Sequence, residues 1–173
     1  MDFYDVVKTR RSIRKFKPDP ISDEIVERIL NAARLAPTWA NMQGTQYIVG
    51  KDPKIVENLC QAVGQRWLKE IPMFIVVGLK ESDSGKNSNG LPYFLVDAAI
   101  CMEHIILAAT NEGLGTCWIG HFPEEKVQEV LGISKKVRVV ALTPLGYPNE
   151  TPREQSRKNL NELVSIDRFG NRT

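Results

Sequence analysis

Residues able to do chemistry cluster in three stretches of the 173-residue chain. The first is Arg10-Arg11-Ser12-Ile13-Arg14, in which three guanidiniums and a hydroxyl fall within five residues at the end of a short helical pattern. A bound phosphate needs such a set: forked donors, a hydroxyl and free backbone N–H groups. The same residues also read as a solvated basic turn. A second basic cluster, Arg153, Arg157 and Lys158, lies in a polar tail. Two distant basic clusters in a nearly neutral chain suggest one shared anion.

The second stretch is Ala36-Pro37-Thr38-Trp39-Ala40-Asn41-Met42-Gln43. Thr38, Asn41 and Gln43 offer hydroxyl and amide groups, and Trp39 a flat apolar face. Amides both donate and accept, which suits a heterocycle with mixed edges, such as a flavin, pterin or purine. The alternative is a loop whose polar groups satisfy its own backbone. The third stretch is Gly113-Leu114-Gly115-Thr116-Cys117-Trp118-Ile119-Gly120. It begins as GxGxxG does, but Trp118 replaces the third glycine and the stretch follows a helix rather than a strand, so the dinucleotide fingerprint fails. Its glycines fit close approach of backbone to a ligand, or simply a helix cap and a bend.

Other chemistries are largely excluded. No GxSxG, P-loop or HExxH motif occurs. Two histidines, His104 and His121, cannot build a three-histidine metal site. His104 reads as a core residue, and His121 as a possible neighbour of a ligand. Cys60, Cys101 and Cys117 are odd in number with no CxxC spacing, which fits a reducing cytoplasm. Cys117 has no adjacent basic residue and reads as packing. Lys and Arg number 23 against 21 Asp and Glu, a net charge of +2. That balance predicts neither a nucleic-acid partner nor a membrane surface. The acidic start, Met1-Asp2-Phe3-Tyr4-Asp5, does not read as a signal peptide. The apolar run from Tyr93 to Ala109 is interrupted by Asp97, Glu103 and His104, so it reads as a buried helix.

The elements that must position these residues alternate in type. Asp2 caps a short first helix in which Phe3, Val6 and Val7 recur at helical spacing. Ser22 caps a second, with Ile25, Ile29 and Ala33 inward, and Pro37 stops it. Strands are expected at 46–50, 73–79 and 137–145, and a strand-like segment at 115–120. Helices are expected from Pro53, from about Pro92 to Glu112, and from Pro123. Residues 80–90 read as an exposed loop, and the polar tail has a short helical pattern at Leu160 and Leu163. No linker divides two cores, so residues 1–173 are expected to form a single α+β domain, a small mixed β-sheet covered by helices with a long central one.

Taken in order, Arg10 to Phe16, Ala36 to Gln43, Gly113 to Gly120, Leu145-Gly146-Tyr147-Pro148 and Arg157-Lys158 resemble the FMN-dependent nitroreductase family over nearly the whole chain. The resemblance implies the nitroreductase-like fold and a homodimer with FMN sites at the subunit interface. It implies that Arg10, Ser12 and Arg157 hold the FMN phosphate, with Arg11 and Arg14 beside it. Pro37, Thr38, Trp39 and Asn41 of the partner chain would line the isoalloxazine ring, and the Ile119-Gly120 backbone would approach its reactive edge. The family often has Gln-Pro-Trp where this chain has Gln43-Gly44-Thr45, a departure expected to loosen the strand start or open the pocket. The implied activity is hydride transfer from NAD(P)H through FMN to nitroaromatic or quinone acceptors. A reductive dehalogenase, a flavin-fragmenting relative and a non-enzymatic flavin binder are the alternatives. No separate catalytic residue is required, because the cofactor carries the redox chemistry.

Overall fold

A computed structural model of the chain describes residues 1–171. Four strands form one sheet in the order β1-β2-β4-β3: β1 (Gln46–Gly50), β2 (Met73–Lys80), β3 (Gly115–Thr116) and β4 (Val137–Gly146). Each neighbouring pair is antiparallel. The parallel component of the expected mixed sheet is a single bridge between Ser12 and Thr116. That bridge lays the basic turn directly against β3.

The central strand β2 is buried on both faces, as its continuous apolar run requires. Successive side chains leave opposite faces, so Met73, Ile75, Val77 and Leu79 enter one core while Phe74 and Val76 enter the other. The first core is closed by α2 (Asp23–Arg34) and α4 (Phe94–Asn111) through Ile29, Ala33, Met102 and Ile105. The second is closed by α3 (Pro53–Val63) and α5 (Glu124–Leu131) through Val56, Leu59 and Val127. α4 has the length and composition of a membrane span, but Ala98, Met102, Ile105 and Ala109 are fully buried between α2 and the sheet. The short helices are α1 (Phe3–Thr9) and α6 (Leu160–Leu163).

Capping explains the helix starts. Asp2, Ser22 and Asp52 each accept backbone N–H groups of the following turn. α4 begins at Phe94 rather than Pro92, because residues 84–93 fold back on themselves: Tyr93 N donates to the Gly85 carbonyl at 2.8 Å. The 80–90 segment is exposed over most of its length, as expected, but ordered by this contact, with Asp83, Ser84 and Gly85 half-buried. α1 is mostly exposed. Only Val6 is covered, while Phe3 and Val7 are 63% and 48% exposed.

One ion pair ties the helical layer together. Arg28 on α2 donates two hydrogen bonds to Glu112 at the end of α4, at 3.0 and 2.7 Å. The Arg28 hydrogen bonds hold the Glu112 carboxyl below its ordinary value. A depressed carboxyl stabilises the fold above the ordinary carboxylate range and loses that contribution as pH falls through its folded value. Glu112→Gln is therefore expected to be less stable than wild type at pH 7 and to approach it as pH falls below the ordinary carboxylate range. Urea denaturation at pH 7 and below that range checks this.

Candidate active site

The two basic clusters meet. Arg10, Arg11, Ser12 and Arg14 line a cavity of about 330 Å³ together with Arg153, Gln155 and Arg157 from the tail. The turn is fixed by backbone pairing. Ile13 N donates to the Thr116 carbonyl at 2.8 Å, Lys17 N to the Tyr147 carbonyl at 2.8 Å, and Asn149 N to the Lys15 carbonyl at 2.9 Å. The Glu150 carboxylate also accepts the backbone N–H groups of Arg14 and Lys15. The tail thus begins beside the turn, and Arg153 and Arg157 lie within reach of it.

The guanidiniums of the cavity are not equivalent. Arg11 Nη1 donates to the Lys8 and Arg10 carbonyls at 2.6 and 2.8 Å, which satisfies the open end of α1. Arg11 also faces Glu154 at 3.7 Å. Among the described residues Arg10, Arg14, Arg153 and Arg157 have no carboxylate partner. Like charges crowded into one cavity repel unless an anion joins them, and forked donors favour a phosphate. Arg14 also lies over the Trp67 ring, 5.7 Å from its centroid. Trp67 Nε1 donates to Gln65 at 2.6 Å, and Gln65 Nε2 donates to the His121 carbonyl at 3.3 Å. Sequence reading missed Gln65 and Trp67, whose surroundings give no local motif.

Beyond the bridge to Ser12, the chain runs along β4. Cys117 N donates to Thr143 Oγ1 at 3.0 Å, and Ile119 exchanges two hydrogen bonds with Leu142 at 2.9 and 3.1 Å. The Ile119 side chain is buried in the second core. Neither its N–H nor its side chain faces outward, so the outward-facing part of the expected pair is Gly120, which is exposed. Among the described residues the Gly120 N–H donates to no acceptor. Arg14, remote from Cys117 in the chain, acts on it through its charge and favours its thiolate. Burial outweighs this and pushes its thiol up. It remains a packed thiol.

The Thr38 to Gln43 turn is held in an unusual backbone state. Ala40, Asn41 and Gln43 all have positive φ, at 43°, 57° and 54°. Asparagine tolerates this region. Alanine and glutamine there cost on the order of 1–2 kcal/mol each, a strain that clusters at functional sites. Thr38 Oγ1 accepts the Gln43 N–H at 3.0 Å. Pro37 and Asn41 are exposed, while Thr38 and Trp39 are half-buried. Gly44 explains the departure from Gln-Pro-Trp. A Cβ there would lie 2.2 Å from the Asp83 carbonyl oxygen, so the 81–85 segment occupies the space the bulkier residues would need. Behind the turn is a pocket of about 110 Å³ lined by Thr38, Gln43, Thr45, Tyr47 and Cys101 among others. In it, Thr45 Oγ1 is buried without a partner, and burial pushes the Tyr47 hydroxyl up.

Comparison with known proteins decides the family. The Nitroreductase family model matches residues 7–83 and 59–147. The chain belongs to the nitroreductase family. A nitroreductase family protein of Clostridium novyi NT has a crystal structure that is 39% identical, with a TM-score of 0.83, over 99% of this chain and 97% of that one. A candidate NADH dehydrogenase/NAD(P)H nitroreductase of Archaeoglobus fulgidus is 34% identical over 151 residues, 84% of each chain. An FMN-dependent nitroreductase of Clostridium difficile R20291 is 28% identical with a TM-score of 0.82, over 95% of this chain and 98% of that one.

This nitroreductase-family chain brings together Arg10, Arg11, Ser12, Arg14 and Arg157, the residues expected around a phosphate, in one cavity. It does not bring the turn residues Pro37, Thr38, Trp39 and Asn41 to the same cavity, for none of them lines it.

Proposed function

We propose that the protein is an NAD(P)H-dependent FMN oxidoreductase acting on nitroaromatic or quinone-type small molecules. The observation that carries this reading is the convergence of Arg10, Ser12, Arg14 and Arg157 on one cavity without carboxylate partners. Those donors fit a phosphate monoester dianion in number and charge. FMN, when bound there, would supply the redox chemistry for hydride transfer from NAD(P)H to the acceptor in a ping-pong cycle. Arg10, Ser12, Arg14 and Arg157 hold its phosphate, and Arg11 supports the turn. The exposed Gly120 N–H, without an acceptor among the described residues, would be available to negative charge on a bound flavin ring.

The working unit is a homodimer. Pro37, Thr38, Trp39 and Asn41 line the ring from the partner chain, which accounts for their separation from the phosphate cavity within one chain. Uncovered apolar side chains support a second copy: Phe3 and Val7 on α1, and Leu160, Leu163 and Phe169 of the tail, are 48% exposed or more. Three free thiols suit the cytoplasm.

The test is direct. Purified protein should be yellow, or become so on loading with FMN, and should bleach anaerobically with NADH or NADPH. A colourless protein that cannot be loaded would defeat the flavin reading. A loaded protein that neither nicotinamide bleaches would leave only a flavin binder.

A further inference from the structure

A single carboxylate links three segments around Trp39. Asp97, in the first turn of α4, is 2% exposed. Its Oδ1 accepts the backbone N–H of Trp39 at 2.8 Å, and its Oδ2 accepts the Ser84 hydroxyl at 2.6 Å. The Trp39 indole lies on Gly85, where a Cβ would come within 2.0 Å of its Nε1. Its other neighbour is the Tyr93 ring, with centroids 4.5 Å apart. Tyr93 N in turn donates to the Gly85 carbonyl at 2.8 Å. The strained turn, the 81–85 segment and the start of α4 therefore form one unit with Asp97 at its centre.

We infer that Asp97 is a positioning residue, which locks the Trp39 turn onto the 81–85 segment and so fixes the ring-facing wall of the cofactor site. The inference rests on the proposed flavin reading for its functional consequence, but the geometry stands without it. The turn holds three residues at positive φ and has no core of its own. Its backbone bonds, Asn41 N to the Thr38 carbonyl and Met42 N to the Trp39 carbonyl, are internal and do not orient it against the rest of the fold. Orientation has to come from outside the turn. Asp97 supplies a buried acceptor to the backbone N–H of Trp39, so the contact depends on no side-chain rotamer of the turn. A buried charged acceptor also makes stronger hydrogen bonds than a neutral one. The same carboxylate holds Ser84, and hence the glycine on which the indole rests. Movement of the 81–85 segment would then be passed directly to Trp39 and Asn41.

Two variants separate positioning from mere stability. Asp97→Asn keeps the shape: its carbonyl oxygen can accept from Trp39 N–H, and its amide can donate to Ser84. Asp97→Ala removes both bonds. In the protein without flavin, hydrogen exchange of the 36–44 peptide should speed up at least tenfold in Asp97→Ala and less than threefold in Asp97→Asn. With FMN added, Asp97→Ala should bind about tenfold more weakly and show an altered visible circular dichroism band of the saturated flavin. Asp97→Asn should restore both. Ser84→Ala, which leaves the Trp39 bond in place, should alter the dichroism without lowering the melting temperature by more than a few degrees. It keeps the test open if Asp97→Ala does not fold. Unchanged exchange and dichroism in Asp97→Ala, or in Ser84→Ala where Asp97→Ala is unfolded, would overturn the role of Asp97. So would an Asp97→Asn protein as impaired as Asp97→Ala. Failure of wild-type protein to take up FMN would instead sink the flavin reading, while the exchange experiment would still decide the coupling.

Discussion

Arg10→Ala is expected to weaken FMN binding by roughly 10- to 150-fold, the equivalent of about 1.5–3 kcal/mol for a charge-assisted hydrogen bond. The size follows from what surrounds the residue. Arg10 lines the cavity shared with Ser12, Arg14 and Arg157, and no carboxylate among the described residues competes for it. Its donors are therefore available to a phosphate at no loss of an existing ion pair. Arg11→Ala should behave differently. Arg11 is engaged with the carbonyls of Lys8 and Arg10, so its loss should lower the melting temperature more than the affinity. Titration of the flavin-free protein with FMN at low and high salt checks both variants. The Arg10 contribution should shrink as salt rises, because a half-exposed charge pair is screened. Equal FMN affinity in wild type and Arg10→Ala would remove Arg10 from the phosphate clamp.

Phe74→Ala should lower stability by about 3–5 kcal/mol. Domains of this kind are stable by only about 5–15 kcal/mol, so the loss takes away a large share of the total. Phe74 is fully buried at the start of β2 and belongs to the core containing Leu59, Val76, Ile119 and Leu142. Truncation leaves a cavity between the sheet and α3, and the backbone of a central strand paired on both sides cannot collapse to fill it. Ile119 shares that core and carries Gly120, so flavin affinity should fall in the same variant. Urea denaturation measures the first effect. A loss under 1 kcal/mol would mean that the neighbouring side chains close the cavity.

Much of the molecule was legible in advance because its signals are local. The uninterrupted apolar run from Met73 to Leu79 could only be a strand covered on both faces. Asp52-Pro53 and Ser22 marked helix starts because caps act within one turn. The basic turn, the Thr38 to Gln43 stretch and the glycines from Gly113 to Gly120 were visible as residue types, and their order carried the family. The 80–90 segment is exposed along most of its length, as its composition predicts, but its order is not legible there because it comes from partners outside the segment. Ser84 is held by Asp97, and Gly44 and Trp39 lie against Asp83 and Gly85.

Asp97 shows the boundary most clearly. By sequence it was an interruption in an apolar helix, which said only that the helix does not cross a membrane. Its two acceptor bonds reach Trp39, 58 positions away, and Ser84, 13 away. The amino-acid order by itself determined the elements, the family and the chemical character of the site, because these depend on side-chain type and on contacts within a turn or a strand. The fold alone decided which arginines lack a carboxylate partner and which one caps α1, that Gly120 rather than Ile119 faces outward, and that one buried carboxylate orients the Trp39 turn. Those outcomes depend on distances between segments remote in the chain, and such distances exist only once both cores have closed around the sheet.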